Sequence, residues 1–450
     1  MESEKIDRNI LKYKFQANKQ EGKYTIALYL IQTYFIKTID THEREMYIFR
    51  EGHYVPAMNF LRGEAQEILG SMATTQIKNE IIGQVMDMTL VDREIFNTDP
   101  NLINLQNGVL NLETKEILPH SPDYCFLSKI PINFNPEATC PIILKFFEEI
   151  LQEKDIPVAE EWIGFLLLRK YLLKKALIIV GDRDVGKTTF LNLLESFIGK
   201  DNISGISLQK LAGDKFSVAN LYQKYANIYD DMSAKDINDT ATFKMATGQS
   251  SMTGENKFGS PFKFTNFAKL TFSCNSIPGN TKLDDPAYYS RWIVLSFIKR
   301  AENPDLKLGE KLSTSEELSG LLNLALRGLV RVMEIGKFSY PAEPHEIKMQ
   351  MLRSGSPIAR FAYEGIEEGI GEWISKESLY EEFIKFTNKN QMQAVTMIEF
   401  GKQLQNFAGY ITDSKGSENG RQARGWRNVR TKGEEGSEDE IEKEWKEYEG

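Results

Sequence analysis

The chain has 450 residues, of which 41% are apolar and 26% are charged, a balance typical of globular proteins. This composition excludes collagen, a simple coiled coil and a wholly disordered chain, and the length predicts roughly two to four domains. No apolar run approaches the about 20 residues that a membrane-spanning helix needs. The charged N-terminus MESEKIDRNI lacks the apolar segment of a secretory signal, so we expect a cytoplasmic protein with no membrane partner.

The three cysteines, Cys125, Cys140 and Cys274, are too few for a disulfide framework and indicate a reducing compartment. His120 lies near Cys125 in sequence, but no second Cys or His pair follows at zinc spacing. Buried small side chains are therefore a better interpretation of these positions than a metal site.

The formal net charge of −9 is unevenly distributed along the chain. Residues 434–450 carry nine acidic residues and two lysines, a charge of −7, which leaves −2 for the rest. Residues 415–432 carry six basic residues and one acidic residue, a charge of +5. A basic segment thus precedes an acidic tail, which we expect to be solvated and to carry no chemistry.

The first hundred residues mix helical and strand patterns and contain no motif with an evident chemistry. Short strands with turns are predicted over residues 102–131, where Asn107-Gly108 is a typical tight-turn pair. Helices are predicted over residues 139–152, with Pro141 in the first turn, and over residues 158–173.

A glycine loop between a strand and a helix is the clearest local signal. Residues 176–180 (ALIIV) form an apolar run of buried-strand length, and the apolar spacing after the loop predicts a helix that ends at Gly199. The loop has the phosphate-binding pattern G-x-x-x-x-G-K-[ST], in which backbone N–H groups surround an anion at a helix N-terminus. Lys187 would reach the β- and γ-phosphates of ATP, and Thr188 would be a ligand of Mg²⁺. The candidate ATP-binding residues are Gly181, Asp182, Arg183, Asp184, Val185, Gly186, Lys187, Thr188 and Thr189.

Two carboxylates follow the next apolar strand, which ends at Tyr229. Asp230 would hold Mg²⁺ through water, and Asp231 would be the base that orients the attacking water. A pair of aspartates is often only a solvated turn, but its position 43 residues after Lys187 favours a Walker B site.

Two further polar residues border strands. Asn275 ends the strand that begins at Lys269, where its amide would contact the γ-phosphate and the lytic water; the alternative is that it only begins a turn. Arg291 precedes another strand, where its guanidinium would reach the γ-phosphate of a neighbouring subunit, although such an arginine is more often a surface residue.

The order of these four elements resembles superfamily 3 helicases, a branch of the AAA+ ATPases. Those proteins compress Walker A, Walker B and the Asn sensor into about a hundred residues, as Gly181 to Asn275 do here, and an arginine finger follows. The resemblance is to the helicase portion of phage, plasmid and poxvirus primase–helicases, and residues 107–138 resemble the module that precedes the ATPase in them. No primase motif with paired carboxylates is evident, and nothing in residues 1–90 is similar to a known module.

The same resemblance implies a nucleic-acid-binding hairpin within residues 245–261. Lys257 would contact phosphate and Phe258 would pack against a sugar or base. Without the resemblance, this Gly/Ser-rich segment would be interpreted as a linker.

The C-terminal region is predicted to be a winged helix. Helices are expected over residues 375–388 and from a capping box at Thr396, followed by a strand at 410–412, a loop at 414–420 and a basic strand at 424–430. The alternative is a small helical cap with a solvated loop. The DNA-binding candidates in this region are Lys402, Arg421, Arg424 and Arg427.

The predicted fold class is therefore α/β: an AAA+ P-loop ATPase core with an N-terminal α+β module and a C-terminal winged helix domain. The predicted divisions are residues 1–100 of unknown role, 101–174 preceding the helicase core, 175–300 for the core, 301–355 as a helical connector, 356–432 for the winged helix and 433–450 as a disordered acidic tail.

These features predict a hexameric, ATP- and Mg²⁺-dependent DNA helicase of a virus or plasmid. Its expected partners are single-stranded and forked DNA and other copies of itself, together with a primase or polymerase of the same replicon. An ATP-switched replication initiator without unwinding activity is the main alternative. An RNA helicase of the same superfamily also stays open, whereas a small-molecule kinase would not need the Asp, Asn and Arg order.

Overall fold

The computed structural model describes residues 7–41, 43–232, 240–255, 260–275, 277, 285–297, 305–340, 343–390, 392–418 and 421–432. Within these residues, none of the helices combines the length and the apolar character needed to cross a bilayer. The elements form mixed α/β units around several hydrophobic clusters.

The N-terminal module (residues 7–41 and 43–97) packs four helices on one four-stranded sheet. The sheet order is β3-β2-β1-β4, and a buried cluster that includes Leu11, Ile26 and Leu61 joins helices to sheet. Asn18 lies between the first two helices and caps the second one by accepting from the backbone N–H groups of Gln20 and Glu21. The elements are α1 (Arg8–Ala17), α2 (Lys19–Tyr34), β1 (Lys37–Ile39), β2 (Met46–Arg50), β3 (His53–Pro56), α3 (Met58–Leu69), α4 (Thr75–Met88) and β4 (Leu90–Val91).

A small antiparallel sheet and two helices lead into the central sheet. The predicted turn at Asn107 joins two strands whose residues Leu105 and Gly108 pair, so the hairpin prediction is confirmed. The helix predicted from Thr139 begins at Pro141, as expected for proline in a first turn. These elements are β5 (Leu102–Leu105), β6 (Gly108–Asn111), β7 (Ile117–Leu118), α5 (Pro141–Ile150) and α6 (Ile156–Leu166).

The second of these helices is shorter than the sequence predicts. Instead of continuing to residue 173, it ends at Leu166, and the chain turns over residues 167–175 to enter the central sheet. The hydroxyl of Tyr171 donates to the carbonyl of Lys175 at 2.9 Å and holds that turn. The apolar residues that suggested a longer helix, including Leu167 and Leu168, are buried in the turn.

Five parallel strands form the central sheet in the order β14-β8-β13-β10-β9. The four strands predicted around the motifs are all present in it. Alternate residues of the strand at 176–180 pack into different hydrophobic clusters. Leu177 and Ile179 lie in one cluster, and Ile178 and Val180 lie in the other, so both faces of the sheet are covered. The strands are β8 (Ala176–Val180), β9 (Ile203–Ser204), β10 (Ala226–Tyr229), β13 (Lys269–Cys274) and β14 (Trp292–Ser296).

Helices and one antiparallel hairpin connect these strands. The helix after the glycine loop ends at Ile198, and Gly199 follows it with a φ of 89°, as the sequence predicts. These elements are α7 (Lys187–Ile198), α8 (Leu208–Gly213), α9 (Lys215–Ala219), α10 (Ala241–Ala246), the hairpin strands β11 (Ser251–Glu255) and β12 (Pro261–Thr265), and α11 (Pro286–Tyr289). Three helices follow the sheet: α12 (Leu308–Leu312), α13 (Ser315–Ile335) and α14 (Pro344–Gly355).

The C-terminal unit runs helix, strand, helix, helix, strand, strand. Its three strands form an antiparallel sheet in the order β15-β17-β16, and Thr396 caps the last helix by accepting from the N–H of Glu399. The elements are α15 (Pro357–Glu364), β15 (Ile366–Ser375), α16 (Lys376–Lys389), α17 (Met397–Phe407), β16 (Thr412–Glu418) and β17 (Arg421–Thr431).

The loop predicted over residues 414–420 is wrong for its first part. Residues 414–418 are a strand, in which Ser414 pairs with Gly425 and Gly416 pairs with Ala423. A Cβ at Gly416 or Gly425 would lie within 2.5 Å of the Trp373 ring. The two glycines therefore leave room for the indole of Trp373 to lie flat on their strands. A glycine-rich sequence gives no sign of this contact and is easily interpreted as a loop.

Candidate nucleotide-binding site

The glycine loop joins β8 to α7 at the carboxyl edge of the parallel sheet. Gly186 has a φ of 90° and Asp184 a φ of 63°, both in the left-handed region. A Cβ at Gly186 would lie 2.9 Å from Cγ2 of Ile150, and one at Gly181 would lie 2.3 Å from the carbonyl oxygen of Phe297. Both motif glycines are therefore required by close packing, and the second one also by backbone conformation.

Lys187 is the first residue of α7 and is only 9% exposed. Its ammonium donates to the carbonyl oxygens of Gly181 and Asp182 at 2.6 Å each, and to Oδ1 of Asn275 at 2.8 Å. Burial lowers the pKa of Lys187. The structure thus brings together the lysine and the asparagine that the sequence selected, 88 residues apart.

Asp230 lies beside Thr188, whose hydroxyl donates to its Oδ2 at 2.7 Å. Its other oxygen accepts from the hydroxyl of Ser273 and from the backbone N–H of Asp231. Burial opposes ionisation of Asp230, but these hydrogen bonds outweigh burial and lower its pKa. One hydroxyl and one carboxylate oxygen are ligands of the kind that Mg²⁺ prefers, so the donor set fits that ion.

The neighbouring Asp231 is exposed and has a φ of 53°. Its backbone N–H lies 3.3 Å from the hydroxyl oxygen of Ser273. Cys274 on the adjacent strand is buried, and burial raises the pKa of its thiol to about 12. The thiol therefore stays protonated and supplies no nucleophile to this edge.

Arg291 lies at the amino-terminal end of the strands, opposite the end that carries the glycine loop. It precedes β14, whose Trp292 pairs with Ala176 at the beginning of β8, whereas the glycine loop follows the end of β8. A five-residue strand spans roughly 16 Å, so Arg291 does not reach the glycine loop of its own chain. Burial lowers the pKa of Arg291, but a guanidinium stays charged throughout the physiological range.

The side chain of Arg291 is held in a defined position. Its Nε donates to the hydroxyl of Thr247 at 3.0 Å, and Nη1 donates to the carbonyl of Ala287. It lines a cavity of about 480 Å³ together with Lys174 and Lys244. Lys244 is paired with Asp285 at 2.7 Å, so Lys174 and Arg291 are the cations that this opening offers to an anionic group.

A second cavity, of about 770 Å³, borders the glycine loop on the side of α5. Its wall includes Val185 and Gly186 from the loop, Phe146 and Ile150 from α5, and Leu308 from α12. No sequence motif marks the wall residues from α5 and α12. A helix is predicted over residues 139–152, but only the fold shows that Phe146 and Ile150 of this helix border the loop.

Ser273 is a second residue that the sequence analysis missed. It is buried in β13 and bonds the carboxylate of Asp230. A hydroxyl inside the apolar strand KLTFSC is the one sequence signal for it. That signal is ambiguous, because Thr271 in the same strand serves a structural contact with the indole N–H of Trp162.

The predicted DNA-binding residues are only partly within the described part of the chain. Lys257 and Phe258 lie outside the described residues, between the two strands of the β11–β12 hairpin. Lys402 is exposed on α17, and Arg424 and Arg427 are exposed on β17. Arg421 begins β17, and its side chain is outside the description.

Other predictions concern cysteines, metals and the tail. All three cysteines are buried and free. The described residues contain no group of three or more His, Cys, Asp or Glu side chains arranged to hold a metal ion. The acidic tail, residues 433–450, lies outside the described residues.

Two family models match parts of the chain. Residues 12–152 match the family described as "D5 N terminal like", and residues 179–291 match a "Family of unknown function (DUF5906)". The first match covers most of the N-terminal region, for which the sequence analysis found no similarity. The second runs from the end of β8 to Arg291 and so spans all four predicted motifs. Together these matches support the resemblance to phage and viral D5-like primase–helicases, and the assignment to superfamily 3 stays a prediction.

Solved structures with a similar fold cover nearly the whole chain. "The apo structure of NrS-1 C terminal region (305-718)" is 13% identical, covers 89% of this chain and 97% of that chain, and superposes with a TM-score of 0.51. A second structure, "The A form apo structure of NrS-1 C terminal region-CTR", has 13% identity, coverages of 90% and 99% and a TM-score of 0.49. No curated protein matches the chain. At this identity the first likeness establishes a shared mixed α/β fold and nothing about activity.

Proposed function

We propose that the chain is the ATP-dependent replicative DNA helicase of a virus or plasmid, acting as a hexameric ring on single-stranded DNA. The observation that carries the proposal is the arrangement around one parallel sheet. Lys187, Thr188, Asp230 and Asn275 meet at its carboxyl edge, where ligands bind in sheets of this kind. Arg291 lies at the other end of the strands, out of reach of the glycine loop of its own chain, which supports a role in the site of a neighbouring subunit.

ATP is the substrate that fits the carboxyl edge. The N-terminus of α7 and the ammonium of Lys187 bind the β- and γ-phosphates, and the lysine exchanges neutral acceptors for anionic ones. Thr188 and Asp230 hold Mg²⁺, which supplies charge neutralisation when bound. The apolar wall at Phe146 and Ile150 takes the base of the nucleotide.

Hydrolysis requires a water held in line with the γ-phosphate. Asn275 orients that water with its amide, and Asp231 accepts its proton. Arg291 of one subunit, together with Lys174 beside it, stabilises the charge that develops on the phosphate bound by the next subunit. Each complete site is then shared by two subunits, which explains why a ring is needed.

DNA contacts are assigned to two regions. The β11–β12 hairpin carries Lys257 and Phe258 between its strands and contacts the translocating strand. The helix and strand order of the C-terminal unit supports the winged helix interpretation, in which exposed Lys402, Arg424 and Arg427 contact DNA. A primase or polymerase of the same replicon would supply the primer and extend it.

Purified protein tests the motor directly. We expect ATP hydrolysis that needs Mg²⁺, is stimulated by single-stranded DNA and drives unwinding of a forked duplex. Hydrolysis without unwinding under any loading or salt condition would contradict the motor and favour an ATP-switched initiator. Competition between DNA and RNA for the stimulation identifies the preferred strand.

A mixing experiment tests the shared site. Lys187→Ala chains lack a phosphate-binding lysine, and Arg291→Ala chains lack the guanidinium, so each alone is expected to be inactive. Mixed together, they form interfaces in which an intact glycine loop meets an intact Arg291, and hydrolysis is expected to return in part. Normal turnover by Arg291→Ala alone would show that the guanidinium does not act across subunits.

A further inference from the structure

The N-terminal module contacts the β11–β12 hairpin at the beginning of its second strand. The backbone N–H of Ser260, the residue before that strand, donates to Oε1 of Glu43 at 2.8 Å. Two residues further on, the ring of Phe262 lies under the guanidinium of Arg93, 5.0 Å from the ring centre. These contacts join residues about 170 to 220 positions apart in the chain, so they are long-range tertiary contacts.

Arg93 is the centre of this contact. Its guanidinium also lies 5.3 Å from the ring centre of Tyr222, which packs edge-on against Phe262 at 5.2 Å. Behind it, Nη2 donates to Oε1 of Glu45 at 3.0 Å, and the other oxygen of that carboxylate accepts from the hydroxyl of Tyr47. The Arg93 side chain is only 14% exposed, so the cation–π contacts are largely desolvated and strong for their type.

The opposite side of the hairpin is held by the sheet domain itself. A Cβ at Gly254 would lie 2.9 Å from the Cα of Ala219, so β11 packs directly on the backbone at the end of α9. The hairpin therefore packs against two parts of the chain. The contacts from the N-terminal module are made with Ser260 and β12.

We propose that the N-terminal module positions the β11–β12 hairpin for nucleic acid, with Arg93 as the positioning residue. The inference rests on the proposed function in one respect, which is that the hairpin contacts the DNA strand. It gives residues 7–97 a role that the family matches do not describe. Arg93 touches no reacting atom, because it acts through Phe262 and Tyr222.

Hydrogen exchange tests these contacts without reference to any activity. In the full-length protein with Arg93→Ala, we expect the amides of residues 251–255 and 262–265 to exchange roughly tenfold faster than in the wild type, as loss of a desolvated cation–π contact predicts. Arg50→Ala is the matched control, because Arg50 lies 5.7 Å from the Phe60 ring in the same module without touching the hairpin. Exchange unchanged by Arg93→Ala would overturn the proposal.

Two further variants guard against a general folding defect. Arg93→Lys keeps the charge and the pair with Glu45 but lacks the planar guanidinium, so we expect an intermediate exchange rate. Phe262→Leu removes the ring from the other side, and its effect on exchange should be less than additive with that of Arg93→Ala, because the two residues share one contact while each also has others. Full additivity would show that the two residues act independently and would contradict the proposal.

DNA-stimulated hydrolysis provides the functional measurement. For Arg93→Ala, the concentration of a single-stranded oligonucleotide that gives half-maximal stimulation should rise about tenfold, while the rate at saturating DNA should change less than twofold. A wild type that DNA does not stimulate would remove the proposed function, and the exchange experiment would still decide whether the module holds the hairpin. An unchanged half-maximal concentration, with hairpin exchange accelerated, would show that these contacts do not serve nucleic acid.

Discussion

Thr188 is the residue whose role is most directly tested by a small change. Its hydroxyl donates to Asp230 at 2.7 Å, and a hydrogen bond to a charged group contributes about 1.5–3 kcal/mol. Thr188→Ala is expected to reduce Mg²⁺-dependent ATP hydrolysis by roughly tenfold or more, whereas Thr188→Ser should keep most of it. The measurement is a titration of the steady-state rate with Mg²⁺. Equal rates for the alanine and serine variants would show that the hydroxyl is not a ligand.

The three cysteines give a chemical test of burial. Burial raises the pKa of Cys140 and of Cys274 to about 12 and also raises the pKa of Cys125. Because only the thiolate reacts readily, we expect no thiol of the native protein to react with a disulfide reagent at pH 8 within minutes. All three should react after unfolding in guanidinium chloride. Rapid labelling of a native thiol would show that its surroundings open in solution.

At the level of single residues, the motif glycines and charged groups could be predicted because each has a distinctive spacing. Their partners could not. Ser273 bonds Asp230 because β13 lies between β8 and β10, and strand order is not written in local sequence. The approach of Phe146 to the glycine loop likewise depends on how α5 packs across the sheet.

Among the elements, buried strands were predicted best, because a continuous apolar run of the length of Ala176–Val180 is typical of a buried strand. Strand β15 was missed, because its residues 366–375 alternate imperfectly and most of them are not buried. Most of strand β16 was interpreted as a loop because its glycine, Gly416, makes room for the indole of Trp373, a contact made from another strand.

Two glycines in different elements have opposite predicted responses to substitution. Gly254→Ala in β11 places a methyl group 2.9 Å from the Cα of Ala219 and should cost about 1–3 kcal/mol. Gly83→Ala in α4 meets nothing within 4 Å and should stabilise the chain by about 0.5–1 kcal/mol, because glycine is a poor helix former. Melting temperatures of the two variants provide the comparison. A higher melting temperature for Gly254→Ala would contradict the packing described for the hairpin, and a lower one for Gly83→Ala would contradict the open surroundings of that position in α4.

At the scale of the whole molecule, the contacts that join the modules could not be predicted from sequence patterns. Glu43 meets Ser260, and Arg169 meets residues 97–102, through side chains that a local pattern would place in solvent. Composition and motifs identified the central sheet and its edge. The position of the N-terminal module on the hairpin required the assembled fold.

Arg169, in the turn before the central sheet, contacts the last residue of the N-terminal module and the segment that follows it. It is 8% exposed and donates to Oδ1 of Asn97 at 3.0 Å and to the carbonyl oxygens of Leu102, at 2.8 Å, and of Asp99, while its guanidinium lies 4.6 Å from the Phe126 ring centre. Arg169→Ala removes the guanidinium donors to the carbonyl oxygens of Asp99 and Leu102 and one of the two donors to Oδ1 of Asn97, which also accepts from the backbone N–H of Leu127. A buried acceptor that is left without a donor costs about 1–3 kcal/mol.

We therefore expect calorimetry of Arg169→Ala to separate an early transition of the N-terminal module from that of the sheet, with faster proteolysis near residues 97–102. Arg169→Lys keeps one donor group but not the planar fork and should fall between the variant and the wild type. Lys170→Ala, at the exposed neighbouring position, is the control and should melt like the wild type. A single unshifted transition for Arg169→Ala would mean that other contacts hold the two modules together. In that case the contacts between the N-terminal module and the hairpin should persist in this variant.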